Sequence, residues 1–130
     1  MQRTVRWLAL GVLGFVAAPA CSDQSDIDDV IGIWDTKSVA GYSVPGTIEY
    51  ERKNHDTQYI RWVFYDGGRC TLTQHVDGAI ETYGECEYTV NVEQQTLTMT
   101  FQMERWAGRL DANSLIFTDP KDVEWILRRQ

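Results

Sequence analysis

The residues best suited to chemistry in this chain are two histidines, three cysteines and several closely spaced acids. His55 and His75 have no Cys-x-x-Cys partner with which to form a zinc site. Glu85 and Glu87 lie two positions apart, which places both carboxylates on one face of a strand. Such a pair can do acid–base chemistry in a cleft, whereas on an outer sheet face it serves solvation. We favour solvation, and the sequence predicts no metal site.

The motifs of common enzymes are missing from the sequence, which has no Gly-rich phosphate loop, no Gly-x-Ser-x-Gly and no His-Glu-x-x-His. His75 shares a strand face with Thr71 and Thr73, which is typical of an exposed histidine rather than a general base. The formal net charge is −7 and there is no basic stripe, so a nucleic acid would be repelled. We predict a protein that is not an enzyme, binds no nucleic acid and needs no cofactor.

The elements that would position these residues begin after an export segment. Residues 1–6 contain Arg3 and Arg6 but no acid, and residues 7–18 form an apolar run of twelve. A helix needs about 20 apolar residues to span a bilayer, so this run matches a signal peptide instead. We predict that residues 1–20 are a lipoprotein signal peptide. Its removal would leave a charge of −9, which is −7 minus the +2 of the two arginines.

Two cleavage schemes fit the residues before Cys21. Ala18-Pro19-Ala20 satisfies the small-x-small pattern of ordinary signal peptidase. The same residues followed by Cys21 resemble a lipobox, in which Cys21 would be acylated. The number of cysteines favours lipidation, because an acylated Cys21 leaves Cys70 and Cys86 to pair with each other.

The residues after Cys21 bear on the cellular location of the protein. Ser22 stands where the inner-membrane retention signal of such lipoproteins would place Asp, so the resemblance implies the outer membrane. We therefore expect an outer-membrane lipoprotein of the cell envelope that faces the periplasm or the cell surface. Residues 21–30 are acidic and span at most ~35 Å when extended, and we interpret them as a solvated tether.

From residue 31 onward the hydrophobic pattern has the period of two that is typical of strands. In residues 96–103, for example, Leu97, Met99 and Phe101 alternate with polar side chains. Gly, Pro, Asn and Asp mark turns between such runs. We predict that residues 31–130 form one all-β domain, an antiparallel meander of eight or nine short strands that closes into a small barrel. A two-sheet sandwich is the structural alternative.

Cys70 and Cys86 flank a predicted hairpin around Asp77-Gly78. If the inner faces of its arms match and Val76 lies opposite Ile80, Cys70 lies directly across from Cys86, within disulfide range. A strict two-residue turn would break this register. We therefore predict a Cys70–Cys86 disulfide together with a three-residue loop or a bulge.

Gly32-Ile33-Trp34 at the first strand and a basic residue on the last strand resemble the pattern of small bacterial lipocalin-like (calycin) lipoproteins. The resemblance covers about residues 31–129. It implies a lipocalin-like barrel whose base is closed by an arginine packed over Trp34. Gly32 belongs to the same motif, and either Arg128 or Arg129 could be that arginine. A guanidinium over an indole is worth roughly 0.5–2 kcal/mol.

Three functions remain open at this stage. The first is binding of a small apolar ligand in the barrel mouth, for which four aromatic residues are candidate rim positions: Tyr42, Tyr59, Tyr65 and Trp106. The second is a structural or protein-interaction role in the envelope, with a filled barrel that docks another envelope protein. The third is inhibition of a secreted protease. The volume of the barrel interior separates the first from the second.

Overall fold

The structure, a computed structural model, describes residues 30–130. This part of the chain consists of ten strands joined by short connections. The strands are β1 (Gly32–Val39), β2 (Tyr42–Ser43), β3 (Gly46–Tyr50), β4 (Lys53–Tyr65), β5 (Arg69–Val76), β6 (Ala79–Asn91), β7 (Thr96–Phe101), β8 (Glu104–Asp111), β9 (Ser114–Thr118) and β10 (Glu124–Arg129).

Eight of these strands form a closed antiparallel barrel. Each strand from β4 to β10 pairs with the next in the chain, and β1 closes the ring by pairing with both β10 and β4. The predicted all-β, lipocalin-like barrel is confirmed, and the sandwich alternative was wrong. The strand number exceeds the predicted eight or nine because the very short β2 has no alternating pattern of its own.

The two ends of the barrel differ because β1 changes partners along its length. Residues 32–35 of β1 pair directly with β4. Further along, Ser38 and Val39 pair with β2 instead, while β3 pairs with the first half of β4. The inserted β2 and β3 therefore separate β1 from β4 at one end only. We call this the open end, and we call the end where β1 begins and β10 finishes the base.

Large side chains fill the base and middle of the barrel. Four of them have at most 1% of their surface exposed: Trp34, Trp62, Phe64 and Phe117. Trp62 packs edge-on against Trp106, with 5.5 Å between ring centres. Gly108 leaves room for this packing, since a Cβ there would lie 2.7 Å from the Phe117 ring. The interior resembles a packed core rather than a channel.

The β5–β6 hairpin carries the predicted disulfide, and Cys70 lies opposite Cys86 with Cα atoms 4.9 Å apart. The predicted partner of Val76 was wrong, because the turn has two residues and Val76 faces Ala79. A bulge between Leu72 and Cys70 restores the register of the cysteines.

The bulge also reverses the faces of β6 on its turn side. Ile80, which we expected inside, is 61% exposed, whereas Tyr83, which we expected outside, packs against the Phe101 ring. The inner and outer faces predicted for β6 therefore hold only beyond the bulge, where Cys86 is buried.

Candidate ligand-binding site

A cavity of about 230 Å³ lies at the open end of the barrel. Its walls come from β1, β3, β4, β5 and β10, at the end where the inserted β2 and β3 separate β1 from β4. The apolar part of the lining is Val39, Ile48, Ile60, Val76 and Trp125. The cavity thus sits above the packed aromatic core and forms a shallow cup.

Four polar side chains complete the lining: Tyr50, His55, Thr57 and Gln74. His55 faces inward because it pairs with the buried Ile48 across the β3–β4 ladder. Thr57 uses its hydroxyl to donate to the His55 carbonyl at 3.3 Å. Within residues 30–130, no hydrogen bond holds the Gln74 side-chain amide. Gln74 therefore keeps donor and acceptor capacity for a bound molecule.

Asp119 fixes the two aromatic walls of the cavity. Asp119 is 4% exposed, and one carboxylate oxygen, Oδ2, accepts from both the Tyr50 hydroxyl at 2.8 Å and the Trp125 indole N–H at 3.0 Å. The other oxygen, Oδ1, accepts from the backbone N–H groups of Lys121 and Val123. The carboxylate thus accepts four hydrogen bonds, and these offset the loss of hydration that burial causes. Asp119 is a positioning residue for this site.

Burial, and then the hydrogen bond to Asp119, raise the pKa of Tyr50 above its ordinary value. The phenol is therefore neutral throughout the physiological range. Lys121 lies over the same ring at 5.9 Å and forms an ion pair with Glu51. These contacts hold the Tyr50 ring at the cavity wall from outside.

His55 is held at the cavity mouth by Asp77 from the β5–β6 turn. Nδ1 of His55 lies 2.8 Å from Oδ2 of Asp77, and the backbone N–H of Asp56 donates to Oδ1 at 2.8 Å. The hydrogen bond to His55, and next that from Asp56, lower the pKa of Asp77. Asp77 is therefore a carboxylate at neutral pH, and it can only accept.

At the base, Arg129 rather than Arg128 lies over Trp34. The guanidinium carbon of Arg129 is 4.6 Å from the indole centre, and its Nη1 donates to the Ile31 carbonyl at 2.9 Å. Arg128 points the other way and donates to the Ser114 hydroxyl at 2.8 Å. Gly32 has φ +138°, and a Cβ there would lie 2.9 Å from Nη1 of Arg129. The Gly-x-Trp motif and the terminal arginine thus meet in space.

The four predicted rim aromatics do not surround one opening. Tyr42 is exposed on β2 and donates to Glu49 at 3.2 Å. Tyr59 is on the outer face, where its ring contacts His75 and lies under Arg61. Tyr65 is half exposed at the base end of β4, and Trp106 is buried in the core. The outer position of Tyr59 follows from its alternation with the buried Ile60, and the bulge beside Thr57 instead changes the face of the residues that precede it in β4.

Sequence reasoning missed Tyr50, His55 and Gln74 of the cavity lining, and Asp119, which positions Tyr50 and Trp125. One signal was available for Gln74, which shares an inward face with Leu72 and Val76 in the alternation of β5. Nothing in the sequence indicated that Asp119 and Tyr50, 69 positions apart, would be hydrogen-bonded.

Residues 30–130 contain no group of three or more His, Cys, Asp or Glu side chains that could hold a metal ion. The same residues include no helix long and apolar enough to cross a membrane. Cys21 and the rest of the predicted signal peptide and tether up to residue 29 lie outside the described residues.

Comparison with known proteins places the chain in no family, since no family model and no curated protein matches it. Among solved structures, human cRBP IV aligns over 78% of this chain and 98% of its own, with 10% identity and a TM-score of 0.41. A likeness of this degree says nothing about a ligand. The functional argument therefore comes from the cavity residues themselves.

Proposed function

We propose that this chain is an exported lipoprotein, anchored through Cys21, whose barrel binds a small, largely apolar ligand in the open-end cavity. The observation that carries the binding role is the contrast within the barrel. The base and middle are packed with aromatic rings, while the open end keeps a cup with five apolar walls. No residue is assigned a catalytic role.

The size of the cavity limits the ligand. Sites for drug-sized molecules usually measure about 300–1,000 Å³. At about 230 Å³, the cavity suits a molecule the size of one ring or a short chain. A long lipid would have to displace Trp62 or Phe117, which are completely buried.

The position of residue 30 supports an orientation on the membrane. The Trp34 indole N–H donates to the Val30 carbonyl at 2.8 Å, so the described chain begins at the base. Cys21 precedes Val30 by nine residues, a reach of at most ~32 Å. An acyl anchor on Cys21 would thus hold the base toward the bilayer and leave the cavity facing away from it. By the resemblance at Ser22, that bilayer is the outer membrane.

Two experiments test the two parts of the proposal. Mass spectrometry of the mature protein from its native host should find an N-terminal Cys21 carrying acyl chains, and Cys21→Ala should abolish membrane attachment. A free Cys21, or an N-terminus still at Met1, would refute the anchor.

For the cavity, a nuclear magnetic resonance titration with single-ring apolar compounds should shift the Trp125 indole N–H signal. Val76→Phe should fill the cavity and weaken the binding of these compounds at least tenfold. His75→Phe places the same ring on the outer face of the same strand and should leave binding unchanged. Equal effects of the two variants, or no shift with any compound, would argue against a binding role.

A further inference from the structure

The chemistry of the cavity mouth specifies a class of ligand, an inference that rests on the proposed binding function. His55 is the polar residue with the most defined role there. Nδ1 faces a carboxylate that can only accept, so the ring proton sits on Nδ1. A neutral imidazole then carries a lone pair on Nε2 and can only accept there.

Nε2 of His55 bonds to no other group in the part of the chain that the structure describes. The amide of Gln74, on the same inward face, is likewise without a side-chain partner there. His55 Nε2 and the Gln74 amide are therefore open to a bound polar atom, whereas the Tyr50 and Thr57 hydroxyls already use their protons on Asp119 and on the His55 carbonyl. The apolar walls next to them are Ile48, which pairs with His55, Ile60, which pairs with Gln74, and Trp125.

The charges around the cavity disfavour an anion. No lysine or arginine is among the lining residues, and Asp77 lies directly behind His55. Lys121 is close to Tyr50 but is already paired with Glu51. A carboxylate placed at the mouth would therefore meet a lone pair on Nε2 and a negative charge behind it.

We infer that the cavity takes a small neutral molecule with an apolar ring or short chain and a single hydroxyl, and that this hydroxyl donates its proton to Nε2 of His55. The hydroxyl lies at the mouth and the apolar part points down toward Ile60 and Trp125. A simple phenol or alicyclic alcohol has this chemistry, whereas a fatty acid does not.

Asp77→Asn gives a sharp test because it reverses the polarity of His55. The Asn oxygen would keep the bond from the Asp56 N–H, which leaves the amide NH₂ facing Nδ1. The imidazole would then carry its proton on Nε2 and become a donor toward the cavity. Residue 77 has φ 54° and precedes Gly78, and Asn-Gly is strongly preferred in such two-residue turns, so the fold should be unaffected.

The probes are para-ethylphenol as donor, para-methylacetophenone as acceptor only, and para-ethyltoluene as the hydrocarbon reference. They are titrated at about pH 8.5, which is about two units above the pKa of imidazole in model peptides. In the wild type, para-ethylphenol should bind about three- to tenfold more tightly than para-ethyltoluene, the value of one neutral hydrogen bond. In Asp77→Asn, para-methylacetophenone should gain about the same factor over the hydrocarbon.

The outcomes separate the two proposals. If the ratios of affinity among the three probes are the same in both proteins, the cavity binds apolar molecules but His55 does not select a hydroxyl. The inference is then wrong. A fourth compound, para-ethylbenzoate, carries a carboxylate in place of the hydroxyl, and tighter binding of this anion than of para-ethylphenol would also overturn the inference. If no probe shifts the Trp125 signal in either protein, the binding function itself fails and takes the inference with it.

Discussion

Arg129 and Trp34 face each other across the β1–β10 pair, with the guanidinium carbon of Arg129 4.6 Å from the centre of the Trp34 ring. The last strand thus covers the indole of the first strand at the base. The same guanidinium donates to the carbonyl of Ile31. One side chain therefore covers the base of the barrel and also holds the residue that leads into β1.

Arg129→Ala should lower the free energy of unfolding by about 1 kcal/mol, because it removes a cation–π contact and a hydrogen bond to the backbone. Arg128→Ala is the matched control and should change it by less than about 0.5 kcal/mol, since Arg128 makes a hydrogen bond at the surface, to Ser114. Urea unfolding of both variants measures the difference. Equal losses would show that Arg129 has no special role at the base.

Asp119→Ala should be strongly destabilising, by about 3 kcal/mol, because it leaves the partly buried donors of Tyr50 and Trp125 and two backbone N–H groups without an acceptor. Asp119→Asn should cost less. Its oxygen can keep the backbone bonds, but its NH₂ would face the Trp125 N–H. The Trp125 indole N–H resonance should move in the Asn variant. An unchanged resonance would mean that Asp119 does not position this wall.

Alkaline pH should destabilise the fold through Tyr50. Its pKa is raised in the folded protein, so the folded state holds the phenol proton more tightly than the unfolded state does. This contribution is complete below about pH 10 and is lost as the pH rises above that value. Unfolding followed from pH 8 to pH 11 should show this loss in the wild type. In Tyr50→Phe the alkaline decline should be shallower, and an identical decline would contradict the assignment.

Replacing both Cys70 and Cys86 by Ala should reduce the free energy of unfolding by about 3 kcal/mol, as expected for a cross-link that closes a loop of this length. Denaturation with and without reductant provides an independent measurement on the wild type. If reduction leaves the unfolding midpoint unchanged, the bridge contributes little to stability.

Much of the barrel was predictable because its inward faces follow strict alternation. Leu97, Met99 and Phe101 of β7 are all buried as their pattern indicates. The Cys70–Cys86 pairing followed from the same parity, since facing cysteines must share a side of the sheet.

The cavity could not be predicted, because it depends on irregularities that have no periodic signature. The bulge near Leu72 reverses Ile80 and Tyr83, and the bulge beside Thr57 puts His55 and Thr57 on the inner face, out of phase with Ile60. A bulge adds one residue to a strand and exchanges the inward and outward faces beyond it. Each unrecognised bulge therefore makes the predicted faces of the following residues wrong. The contact of Asp119 with Tyr50 depends on closure of the whole ring, which short windows of sequence do not contain.

Three indole rings form a continuous series from the cavity wall to the middle of the core. Trp125 lies 5.0 Å from Trp106, and Trp106 lies 5.5 Å from Trp62, between ring centres. Excitation absorbed by any of them is shared at such separations, so their optical transitions do not behave as independent chromophores. If the proposed ligand binds beside Trp125, its arrival would consequently change the fluorescence of all three rings and not of Trp125 alone.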